Sequence, residues 1–178
     1  MVPKRGKPCK QEDRTKNPGE KRVAFLAWLE ATSLAEYVRV SIYGYPAAIA
    51  AHSIGLAVMV GPVLMLDLRL LGWFKGIPYS SLSRILAVAW IGFAINFLSG
   101  AALFAAQAVS YVTNVPFLIK IALVLLGAVS AAQQQAVISR EADSWGTTGV
   151  PSSVTIVAIV SIIFWVGAIV TGRLIAYL

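Results

Sequence analysis

Charge, cysteine and histidine are all scarce in this 178-residue chain: 13% of residues are charged, Cys9 is the sole cysteine and His52 the sole histidine. One cysteine excludes an intrachain disulfide and any multi-cysteine metal site. A phosphate loop, a glycine-rich dinucleotide turn, a His-x-x-x-His or Cys-x-x-Cys pair and a GxSxG elbow are likewise missing from the sequence. The sequence therefore proposes no catalytic residues and no metal ligands. What is abundant is apolar: 58% of residues are hydrophobic and the mean hydropathy is +0.75. That composition leaves too little polar surface for a soluble domain of this length, and an integral membrane protein follows. The basic start runs into polar residues and not into a short apolar core, so no secretory signal peptide is expected.

The net charge of +7 sits mostly at one end. Residues 1–22 hold eight bases (Lys4, Arg5, Lys7, Lys10, Arg14, Lys16, Lys21 and Arg22) against three acids. The high pI is a property of this tail, so no nucleic-acid surface is expected on the fold. With Pro3, Pro8 and Pro18 among those charges, residues 1–22 read as a polar tail. Such a tail suits contact with anionic lipid or with a partner protein. Residues 23–40 can place Trp28, Leu29, Leu34, Tyr37 and Val38 on one stripe. Glu30, Glu36 and Arg39 make that stretch a poor span but a fair interfacial amphipathic helix.

Four long apolar stretches follow. A span needs about 20 apolar residues, and the sequence offers spans at about 43–66, 82–109, 116–138 and 154–177. Pro116 suits a first helical turn, and Pro62 predicts a late kink in the first span. Residues 41–178 thus read as an antiparallel four-transmembrane-helix bundle, all-α, with both termini on one side of the membrane. The tail's bases favour a cytoplasmic N-terminus by the positive-inside rule. Arg69, Lys75 and Arg84 in the loop after the first span argue for the opposite orientation.

In lipid, helices associate through close van der Waals contact, which small residues permit. Each span carries such a stripe, with Gly55 in the first, Gly92 and Gly100 in the second, Gly127 in the third and Gly172 in the fourth. Polar groups at membrane depth are functional candidates because leaving them unpaired is costly. These are His52, Asn96, Gln134, Lys120 and Arg173. A neutral His52 bonded to Asn96 or to a backbone carbonyl is one reading. Axial ligation of haem b, with Gly55, Gly92 and Gly100 giving the porphyrin clearance, is a second. Proton relay is a third. Lys120 and Arg173 can snorkel to the interface, or pair with Glu30 and Glu36. Three successive glutamines, Gln133 to Gln135, point three ways around a helix, so at most two can face inward.

The succession WLEAT (28–32), AHSIGLAVMVG followed by LDLRLLG (51–72), NVPFLIKIALVLLGAVSA (114–131) and TGRLIAY (171–177) resembles an uncharacterised family of small bacterial four-span membrane proteins. The resemblance covers about residues 25–178. It implies the four-span fold and an inner-membrane location, and it brings no activity. Members of that family often carry a second histidine near the position of Gln135; glutamine stands here, which argues against a bis-histidine haem. Three functions remain open on these residues: a non-catalytic accessory or anchor subunit of a larger membrane complex, redox complexes included; a haem-binding electron carrier using His52; and a small oligomeric transporter or channel. The expected partners are the bilayer with other membrane subunits, or further copies of the chain.

Overall fold

The structure, a computed structural model, describes residues 18–175 and 177. Most of the basic tail, residues 1–17 with Cys9, lies outside the described residues. Among the described residues there are eight α-helices, in order α1 (Pro18–Glu30), α2 (Ser33–Val40), α3 (Gly44–Leu70), α4 (Leu82–Ala106, entered through a 3₁₀ turn, Tyr79–Ser81), α5 (Ala108–Tyr111), α6 (Val115–Glu141), α7 (Trp145–Thr148) and α8 (Ser152–Leu174). Four of them, α3, α4, α6 and α8, are long and apolar enough to cross a membrane. The fold is an all-α four-helix membrane bundle.

The helix ends follow local chemistry. Asn114 caps α6, its Oδ1 accepting the Phe117 N–H at 2.9 Å, and Pro116 occupies the first turn where no N–H is needed. The single helix expected over 23–40 is two. Thr32 breaks it: its hydroxyl donates to the Leu29 carbonyl at 2.7 Å and accepts from the Ala35 N–H at 3.4 Å, ending one helix and starting the next. The first of the two begins at Pro18, inside the stretch read as tail. The second expected span stops at Ala106, where Gln107 leaves helical geometry, and a short α5 follows. Glu30 holds that break, its Oε1 accepting the Val109 N–H at 2.9 Å.

The spans form two antiparallel pairs, α3 along α4 and α6 along α8, closed into a ring by α8 on α3 and α4 on α6. The α3–α4 seam is tight. A Cβ added at Gly55 would lie 2.6 Å from the Asn96 backbone nitrogen, and one at Gly92 would collide with the backbone of Val58 and Met59. Met59, Val63, Leu66, Leu82, Leu86 and Trp165 are fully buried and fill the middle. At the end of the bundle where α3 begins and α8 ends, α2 buries Ala35 and Val38, the latter packing with Ala48 and Ala106. Leu34, Tyr37 and Trp28, expected on a shared stripe with Val38, are exposed. At the other end, Arg69 ties down the α3–α4 loop. Its Nε donates to the Ile77 carbonyl at 2.7 Å and its Nη1 to the Tyr79 hydroxyl at 3.1 Å.

Candidate functional site

Two polar clusters bridge α3 and α6 across the middle of the bundle, one toward each membrane face. The first centres on His52, eight residues into α3. Its Nδ1 lies 3.0 Å from the Asn96 carbonyl oxygen and 3.2 Å from Ser99 Oγ. A carbonyl can only accept. Ser99 Oγ already spends its proton on the Ile95 carbonyl at 2.7 Å. Nδ1 therefore carries the hydrogen of the neutral ring, and Nε2 presents a lone pair. Lys120 Nζ stands 3.4 Å from that Nε2, so an ammonium donates to the imidazole. Asn96 answers in return, its Nδ2 donating to the His52 carbonyl at 2.8 Å.

The glycines complete this cluster by contact and leave no gap. A Cβ on Gly100 would sit 3.0 Å from His52 Cε1, and one on Gly172 would touch the Lys120 stem at 3.4 Å. Gly55 and Gly92 are closed by helix backbone. The residues around His52 therefore do not fit a porphyrin. The clearance expected at Gly55, Gly92 and Gly100 is taken by protein, and the ring nitrogen that an iron would use faces Lys120. Among the described residues no group of three His, Cys, Asp or Glu side chains is placed to hold a metal ion. Arg173 is exposed. Glu30 is engaged with Val109 and not with Lys120.

The second cluster lies toward the opposite face. Gln134 Nε2 donates to Asp67 Oδ1 at 2.7 Å, and both residues are buried. Ser161 and Trp165, one turn apart on α8, are buried too. Asp67 Oδ2, Gln134 Oε1, Ser161 Oγ and Trp165 Nε1 are enclosed without a hydrogen-bond partner. Such atoms are uncommon in a folded interior, and each calls for a reason. Gln135 accepts from Trp90 Nε1 at 2.6 Å, while Gln133 is exposed. Gly127 receives the Trp165 ring, whose Cε2 would lie 2.8 Å from an added Cβ.

A family model described as a family of unknown function, DUF6644, matches residues 25–178. The chain belongs to that family. No curated protein and no solved structure matches it. Family membership accounts for the four-span core and α1 from Phe25 onward, and it carries no activity with it.

Sequence reasoning placed His52, Asn96, Lys120 and Gln134 at membrane depth and set Gln133, Gln134 and Gln135 close to Asp67 and Arg69, but it did not put Asp67 inside the first span. Its charge assigned it to the loop after the first span. The available signal was spacing: Met59, Val63 and Asp67 recur every four residues, so Asp67 continues the packed face of α3. Ser99 was set beside the row of Gly92, Asn96 and Gly100 but given no role, because a hydroxyl in a helix can bond its own backbone, as this one also does.

Proposed function

We propose that this chain is a non-catalytic accessory subunit of a larger membrane assembly, seated in a bacterial inner membrane. One observation supports this above others: the polar groups at membrane depth are engaged mainly with one another and with neighbouring helices. His52 and Asn96 bond reciprocally across α3 and α4, while Asp67–Gln134 and Trp90–Gln135 bond across helix pairs. Polar groups used this way bolt helices together in lipid. The space between α3, α4, α6 and α8 lined by Met59, Val63, Phe93 and Trp165 is about 10 Å³ and wholly apolar. That is at the lower limit for a single water. Outward-facing Ile91, Phe97 and Leu98 on α4 and Leu125, Leu126 and Val129 on α6 offer surface for lipid, companion subunits or further copies. The tail adds a basic segment suited to anionic lipid or a partner. Purified in mild detergent, the tagged chain should elute with stoichiometric companion chains or as a homo-oligomer. A bare monomer overturns the reading.

A second reading, a small proton or cation transporter working as an oligomer, is favoured by the enclosed unpartnered oxygens of Asp67, Gln134 and Ser161. An intramembrane carboxyl with open valences is where such carriers hold their charge. Proteoliposomes carrying the protein should then dissipate an imposed ion gradient, and Asp67→Asn should abolish the flux. Flux that is absent, or identical in Asp67→Asn, removes this reading.

A further inference from the structure

At the end of the bundle away from the chain termini, a cavity of about 590 Å³ opens between the α3–α4 loop and α7. Its lining includes Arg69, Lys75, Gly76, Tyr79, Asp143 and Trp145. We propose that this cavity binds a phosphodiester monoanion of the kind carried by a phospholipid headgroup.

Arg69 carries the argument. It is only 7% exposed, yet the two protein groups it bonds, the Ile77 carbonyl and the Tyr79 hydroxyl, are both neutral. Its Cζ also lies 4.0 Å from the centre of the Tyr79 ring. These contacts fix the guanidinium in place, as stacking and fork geometry do for anion-binding arginines. They do not neutralise its charge. Among the described residues Nη2 makes no hydrogen bond, and it is not sealed in, so it is the group left for the cavity that Arg69 lines. A buried cation without a countercharge is expensive, and a bound anion relieves it.

The walls are rigid enough to be a site. Tyr79 meets buried Trp145 edge-to-face, ring centroids 5.7 Å apart, which joins the α3–α4 loop to α7. The charged lining is Arg69, Lys75 and Asp143, one positive charge in excess. A monoanion balances it, and a dianionic phosphomonoester does not. The volume suits a headgroup better than a bare ion. Position agrees: the cavity lies where α3 and α6 end, beside Trp73 and Phe74, both more than half exposed and suited to headgroup depth.

Two variants test this without removing Arg69. Lys75→Gln takes away the exposed cation. Gly76→Leu fills the cavity at a glycine where an added Cβ would meet nothing within 4 Å. The readout is native mass spectrometry of the delipidated full chain in detergent, titrated with phosphatidylglycerol and, separately, with soluble glycerophosphoglycerol. The wild type should hold the lipid saturably, with the apparent Kd rising about fivefold in Lys75→Gln and further in Gly76→Leu. Arg39→Gln, on α2 at the other end of the bundle, should leave binding unchanged. Binding of the lipid alone assigns the ligand to the membrane, and competition by the soluble diester assigns it to solution; either result supports the site. No saturable binding of either probe, or equal occupancy in the wild type, Lys75→Gln and Gly76→Leu, overturns it.

Discussion

Gly92→Leu should be the most damaging single substitution in the chain. At Gly92 the first atom of any side chain meets the backbone of Val58 and Met59, and a helix backbone cannot swing aside as a side chain can. The α3–α4 seam must open along its length to admit a leucine. Overpacking of a well-filled core commonly costs about 1–3 kcal/mol, and backbone against backbone belongs at or above the top of that range. Leucine has the better intrinsic helix propensity, by close to 1 kcal/mol over glycine, so a gain in the isolated helix works against the loss and does not cancel it. The measurement is detergent-titrated unfolding followed by helicity and Trp fluorescence. Gly61→Leu is the control, since an added Cβ there meets nothing within 4 Å. A Gly92→Leu midpoint equal to that of Gly61→Leu would show that the seam is not closed as described.

The second large effect concerns Gln134. Replacing it with leucine removes the hydrogen bond that Gln134 Nε2 donates to Asp67 and leaves the carboxyl enclosed in the bundle. An enclosed polar group that loses its partner costs about 1–3 kcal/mol, and more when it bears charge. Asp67→Leu alone should be similarly harmful, because it strands the Gln134 amide. The double variant Asp67→Leu/Gln134→Leu should recover much of the loss, since an apolar pair demands no hydrogen bond. The full double-mutant cycle in the same unfolding assay gives the coupling. Strict additivity would mean that the two side chains do not act on each other, and would sink this account of the second cluster.

The four spans were legible because apolar length is a coarse and robust signal. Where the reading slipped, charge was the cause. Asp67, Arg69 and Arg140 marked the first and third spans as finished, yet α3 and α6 run on through them to Leu70 and Glu141. Burial against protein, not lipid, receives Asp67 and Arg69, and hydropathy does not distinguish the two surroundings. The Thr32 break was likewise hidden, because hydroxyl residues inside an apolar stretch signal a cap only when the chain around them is seen to turn. His52 and Asn96 were set at a similar depth, and hydrogen bonds join them in the structure. Lys120 was expected to reach for water or for Glu30 and Glu36, and only the closing of the ring, with α8 on α3 and α4 on α6, brings its Nζ to the imidazole.

At about 1.5 Å per residue the 27 residues of α3 and of α6 measure about 40 Å, against a hydrocarbon layer of about 30 Å. The 23 residues of α8 come to about 35 Å. Such an overhang is absorbed by inclination or by letting the final turns stand clear of the acyl chains. The mismatch is unequal around the ring, so the bilayer meets a rim of uneven height, tallest where α3 and α6 terminate. Lipids gathering there are deformed most, and a thicker membrane will hold the molecule more comfortably than a thin one.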